Sequence, residues 1–223
     1  MQNYIKNPKT KLKCGFSINV DTILSAVHET NEALEALPET LFKSLDYKTT
    51  SSTIGCIFCD ALAGKTNNLA IVNPIEKGHP DIVPIEARFC SEEELRNYPV
   101  GLEIKCTIGS VPKDTNLAKA EQRIDYTDNV VWQAHHQEVK ELLGLTYDYF
   151  ETESGTKPNI SGVFYASNLG KSDWGKISGT TGRNTKVCSM IASGKQKMGK
   201  GWVAIVKDNR YITKYEKILK FNR

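Results

Sequence analysis

Gly101-Leu102-Glu103-Ile104-Lys105-Cys106-Thr107, preceded 22 positions before Glu103 by Asp81 in Gly78-His79-Pro80-Asp81-Ile82-Val83, is the pair of stretches from which the rest of the chain is read. Val100 to Ile108 alternates polar and apolar residues and then turns at Gly109, as a central strand would. Side chains on a strand point to opposite faces with period two, so Glu103 and Lys105 share one face while Leu102, Ile104 and Cys106 fill the buried one. The Gly78-His79-Pro80 segment reads as a turn that delivers Asp81-Ile82-Val83 into a second strand, and the two strands are expected to lie side by side.

Two carboxylates from neighbouring strands supply the oxygen ligands that a hard divalent cation requires. A lysine two residues after one of them lies on the same face, where it meets whatever anion the cation binds. Such a cation offsets charge on a scissile phosphate and lowers the pKa of an attacking water. An acid, one residue and a lysine occur three times, as Asp46-Tyr47-Lys48, Glu103-Ile104-Lys105 and Glu138-Val139-Lys140. Only Glu103 combines strand-like flanks with an upstream Pro-Asp. Glu138 and Lys140 sit in a helix-like run, where residues two apart do not share a face.

On Pro80-Asp81 and Glu103-Ile104-Lys105 the chain resembles the PD-(D/E)XK nuclease superfamily, and its size is similar to that of a type II restriction endonuclease. The resemblance covers residues 54 to 108 in motif terms. It implies an α/β fold with a central mixed β-sheet flanked by helices, Mg²⁺ held by Asp81 and Glu103, and a homodimer that cuts a short palindrome in double-stranded DNA. An acid from an early helix often assists in that family, and Asp60 is the position to which this role carries over. The chemistry adds the main-chain carbonyl of Ile104 as a third metal ligand. Lys105 would position and help deprotonate the attacking water, or offset charge on the phosphate. A repair or recombination nuclease of the same fold, and a DNA-binding protein without catalysis, are the alternatives.

Composition fits this reading. With 39% hydrophobic and 25% charged residues, the 223-residue chain is expected to form one soluble domain, with an N-terminal helical part over 1–50, the catalytic motifs over 54–108 and a basic part over 172–223. The net charge of +3 hides a division: from Lys176 onward there are 12 Lys and Arg against 2 acids, so the first 175 residues hold 17 bases and 24 acids. A basic last quarter behind an acidic body suits a partner that is a polyanion, although a solvated lysine-rich face is a common alternative. No apolar run is long enough to span a bilayer and the N-terminus lacks the apolar part of a secretory signal, so a cytoplasmic protein is expected.

The pass along the chain places an amphipathic helix over Asp21 to Ser44, broken at Pro38, and a buried helix over Ile54 to Ala63 capped by Ser51-Ser52-Thr53 with one acid, Asp60. Ser91 to Asn97 is a short acidic helix or loop and Val130 to Leu143 a helix by period. Thr146 to Glu151, Ile160 to Ala166 and Gly201 to Val206 read as strands. Ser172 to Lys186 reads as an exposed loop, in which Arg183 and Asn184 suit base edges and Lys186 suits phosphate. Lys195, Lys197 and Lys200 form a basic flexible turn for the DNA backbone. Cys56 and Cys59 make a Cys-x-x-Cys without a second pair, which fits core thiols better than zinc. His135 and His136 point in different directions on a helix and do not form a ready metal site.

Overall fold

A computed structural model describes residues 2–76, 78–109, 131–133, 139–179 and 186–216. Its centre is a five-stranded mixed sheet in the order β1 (Tyr4–Lys6), β12 (Trp202–Val206), β9 (Gly155–Ala166), β8 (Leu142–Thr152) and β6 (Glu103–Ile108). β6 and β8 run parallel, and the other neighbours are antiparallel. With six helices among the described residues, the class is mixed α/β, as the interleaved periodicities predict. No helix among the described residues is long and apolar enough to cross a membrane.

Helices α1 (Val20–Ala36) and α3 (Tyr47–Gly64) pack against each other, α1 covering β9 and α3 covering β6. Ile23, Val27 and Leu34 of α1 recur at helical spacing and are buried with Ile54, Phe58 and Leu62 of α3. Each of these large side chains contributes roughly 1.5–3 kcal/mol relative to exposure. β12, whose register against β9 shifts between Trp202 and Ala204, feeds two cores: Val203 and Ala204 join the cluster under α1 and α3, while Trp202 and Ile205 join Phe150, Phe164 and Tyr211 in another. The break at Pro38 is as expected, with α2 (Glu39–Ser44) following at once.

Two buried polar residues tie α1 to the sheet. Asn31 accepts the main-chain N–H of Ile160 at 2.9 Å and donates to the Tyr4 hydroxyl at 2.8 Å, joining α1, β9 and β1. Lys157 of β9, also buried, donates from Nζ to the carbonyls of Glu35 (3.1 Å) and Leu37 at the end of α1. Those carbonyls have no partner within the helix, and a cation there also meets the negative end of the helix dipole.

Several expectations are corrected. The residues before Val20 are not helical: β1 is followed by a hairpin of β2 (Lys11–Lys13) and β3 (Ser17–Asn19), whose three-residue strands are too short for periodicity to reveal. Helix α3 begins at Tyr47 because the Asp46 carboxylate caps the N–H of Thr49 at 2.6 Å. Ser51, Ser52 and Thr53 lie inside it, their hydroxyls bonded to carbonyls one turn back. β6 edges the five-stranded sheet instead of lying at its centre. The helix expected over Val130 to Leu143 fails at both ends, since Val131–Gln133 is strand β7, paired with β11 (Lys186–Ser189), and Leu142 opens β8. Tertiary pairing of a β-branched and aromatic run outweighs its helical spacing. Residues Lys195 to Lys200 are not a turn but the body of helix α5 (Ala192–Lys200). The loop from Ser172 is not exposed at its start, where Asp173 and Trp174 are buried.

Replacing Lys157 by Met keeps its length but leaves the carbonyls of Glu35 and Leu37 without their donor. The variant should lose about 2 kcal/mol of unfolding free energy in urea denaturation; unchanged stability would mean that this ammonium does not hold the end of α1.

Candidate active site

A single bridge assembles the site. β5 (Ile82–Pro84) pairs on one side with β4 (Ala70–Val72), and on the other Ile82 exchanges both main-chain hydrogen bonds with Leu102, at 3.1 and 2.8 Å. In an antiparallel pair the next residues outward face each other without main-chain bonds, with Cα atoms about 4.5 Å apart and side chains closest. Those residues are Asp81 and Glu103. Lys105 follows on β6, and Leu102, Ile104 and Cys106 are buried as the alternation predicts.

The carboxylates also reach across to the opposing backbone. Asp81 Oδ2 accepts the N–H of Ile104 at 2.7 Å, and the main-chain N–H of Asp81 donates to the Glu103 carboxylate. On a strand the N–H and C=O of one residue point to the same side, so the Ile104 carbonyl is also directed to the Asp81 side, away from β8. β8 takes the alternate groups, beginning with the N–H of Glu103, which donates to Glu141 at 3.0 Å.

Gly101 makes the approach possible. Its φ is +150°, and a Cβ there would lie 2.4 Å from the Ile82 carbonyl oxygen. Asn73 steadies the preceding turn, donating from Nδ2 to the carbonyls of Pro80 and Leu95. The His79 backbone is held between Arg96 and Tyr98, at the end of the capped acidic helix α4 (Glu92–Arg96).

Glu103 is 4% exposed, and burial pushes its carboxyl up to about 7, opposed by the charges of His79 and Lys105 and by the Asp81 N–H. Burial likewise pulls the Lys105 ammonium down, with Glu103 and Asp81 opposing and Lys48 of α3 reinforcing the shift. Cys59 is the α3 residue turned toward the acids: its thiol is pushed well up by burial, then by Asp81, Cys56 and Glu103.

Among the described residues no three His, Cys, Asp or Glu side chains are grouped as a metal cluster. The oxygens that could hold a cation here are those of the two opposed carboxylates and the Ile104 carbonyl. All are hard oxygens, and their number fits Mg²⁺, which keeps several waters and completes its shell with phosphate oxygens.

The other expected site residues are dispersed. Asp60 is exposed, rotated about 100° around α3 from Cys59. Lys195 and Lys200 are exposed on α5, whereas Lys197 donates to Asp173 Oδ2 and to the Asn168 carbonyl, both at 2.7 Å. Lys186 opens β11, and its partner there is Gly179. Arg183, Asn184, His135 and His136 lie outside the described residues. Cys56, expected in the core, is exposed, while Cys59 is buried. His79 and Lys48 went unassigned in the sequence reading. The signal for His79 was available, because it stands two residues before Asp81; Lys48 required the packing of α3 on β6.

No family model, no curated protein and no solved structure matches the chain. The geometry of the site thus carries the functional argument by itself.

Gly101→Ala should lower unfolding free energy by on the order of 3 kcal/mol, combining a disfavoured φ with overlap on the Ile82 carbonyl. Urea denaturation measures this, with Gly55→Ala as control: nothing lies within 4 Å of a Cβ on Gly55 in α3. Equal midpoints for the two variants would argue against the closed bridge.

Proposed function

We propose that the chain is a Mg²⁺-dependent, site-specific endonuclease of restriction type that hydrolyses double-stranded DNA on a PD-(D/E)XK core. The observation that carries this reading is the opposition of Asp81 and Glu103 across the Ile82–Leu102 bridge, with Lys105 two residues further along the strand. Two carboxylates and a lysine at one strand edge suit phosphodiester hydrolysis, because they combine oxygen ligands with a donor for the phosphate or the attacking water. A bound divalent cation supplies charge neutralisation at the scissile phosphate and a lowered pKa for its water.

The chain's own groups divide the remaining work. Asp81 and Glu103, with the Ile104 carbonyl, present oxygens on one side of β6. The hydrogen bond from the Ile104 N–H holds the Asp81 carboxylate in place, so its geometry is set before substrate arrives. Lys105 orients the nucleophilic water and, as the neutral amine, takes up the proton that the water loses on attacking phosphorus; burial lowers the pKa of the ammonium and so favours that amine form. In-line displacement then leaves a 5′-phosphate and a 3′-hydroxyl. A palindromic target would be matched by a symmetric homodimer.

The test is incubation of purified protein with unmethylated phage DNA in Mg²⁺ or EDTA, alongside Asp81→Ala and Lys105→Ala. The proposal expects discrete Mg²⁺-dependent fragments, with rates lowered roughly 10²–10⁴-fold or more in both variants. Binding to the same DNA in Ca²⁺ should survive the Lys105 change. Intact DNA with the wild-type protein, under conditions where it binds, would leave a binding protein without catalysis.

A further inference from the structure

The segment that runs into the β2–β3 hairpin carries charge that the proposed mechanism leaves unused. The first twenty residues contain four lysines, Lys6, Lys9, Lys11 and Lys13, and no Asp or Glu. Lys6 is paired with Asp21 at 2.6 Å, but Lys9, Lys11 and Lys13 are exposed and have no carboxylate within 4.0 Å among the described residues. From Lys11 to Asn19 burial alternates without a break: Leu12, Cys14, Phe16 and Ile18 face the core, while Lys11, Lys13, Gly15 and Ser17 face outward. Lys11, Lys13, Gly15 and Ser17, with the small exposed part of Phe16, line a shallow, open surface depression. Adjacent lysines on it lie about 7 Å apart along the strand, comparable to the step between neighbouring phosphates of one nucleic-acid strand.

The hairpin is fastened to the strands that carry the carboxylates. A Cβ on Gly15 would lie 2.9 Å from Pro84 Cγ and 3.1 Å from Val100 Cγ2. Pro84 follows Asp81 by three residues and Val100 precedes Glu103 by three, so the hairpin tip sits roughly 10 Å along from the acid pair. Beside the tip, the Lys13 N–H donates to the Tyr165 hydroxyl, which donates in turn to Glu141, whose carbonyl accepts the N–H of Glu103.

We propose that the β2–β3 hairpin is a docking strip for the phosphate backbone of duplex DNA, with Lys9, Lys11 and Lys13 as its contacts beside the cleavage centre. Charge complementarity argues for this partner. The acid pair and the acidic body repel a polyanion, and the hairpin supplies unpaired cations next to that repulsion. Its outward face offers lysines, a glycine and a hydroxyl in place of the apolar residues with which a membrane-seeking strip would insert. The inference rests on the nuclease reading of the adjacent centre.

The experiment measures binding of a 30-base-pair duplex of random sequence to the full chain in Ca²⁺, from low to moderate salt. It compares wild type, a Lys9→Ala/Lys11→Ala/Lys13→Ala variant, and a Lys43→Ala/Lys65→Ala control whose lysines are paired with Glu39 and Glu29. Each lost phosphate contact reduces the slope of log K against log salt by about 0.9. The hairpin variant should therefore lose about 2–3 from that slope and bind at least tenfold more weakly at low salt, with its thermal midpoint unchanged and the control like wild type. Wild-type cleavage and binding with an unaltered slope in the hairpin variant would overturn the docking strip alone. A wild-type protein that neither binds nor cuts duplex DNA would overturn the nuclease reading with it. Lysine-dependent binding to anionic phosphatidylserine vesicles, with the DNA slope unaltered, would assign the strip to a membrane surface and also overturn the proposal.

Discussion

The two main-chain hydrogen bonds between Ile82 and Leu102 hold together parts of the chain that otherwise belong to different sheets. β5 pairs with β4 in a small ribbon, and β6 pairs with β8 in the main sheet. Only this bridge joins them in the described ladders, and it brings Asp81 opposite Glu103. The Asp81 carboxylate then takes up the Ile104 N–H, a group at the open edge of β6 that has no strand partner on that side. The acid proposed to serve the chemistry thus also finishes the strand edge, which ties the fold locally to the composition of the proposed site.

Much of the surrounding architecture serves to keep that edge rigid and partly dry. α3 lies over β6 and buries Ile54, Phe58 and Leu62, and its buried Cys59 thiol feels the charges of Asp81 and Glu103. The long β8–β9 hairpin anchors β6 in parallel from the other side, and α1 is locked to β9 through Asn31 and Lys157. A carboxyl buried as deeply as Glu103 carries a desolvation penalty that a bound cation would relieve. In a carboxyl this deeply buried, nearby positive charge favours the ionised form.

What the sequence made legible was local and periodic. The alternation at Glu103, Ile104 and Lys105 predicted the faces of β6, and Pro38 predicted the break between α1 and α2. The pairing of Asp81 with Glu103 could be anticipated, but not the bridge that produces it, because register across two sheets depends on contacts far apart in sequence. Lys197 reads from the sequence as a contact for the DNA backbone, but its ammonium pairs with buried Asp173, which lies 24 positions earlier and gives no local signal. The strands β1 to β3 were invisible for a different reason: three residues carry too little pattern, and only the pairing of β1 with β12, some two hundred positions away, defines the first of them.

In the proposed site, Asp81, Glu103 and the Ile104 carbonyl together hold one cation. Crystals grown or soaked with Mn²⁺ and measured at the manganese absorption edge test it directly. An anomalous peak is expected within about 2.5 Å of oxygens from both carboxylates, lost in Asp81→Ala. A well-diffracting crystal with no peak there, or with its manganese bound elsewhere, would contradict it.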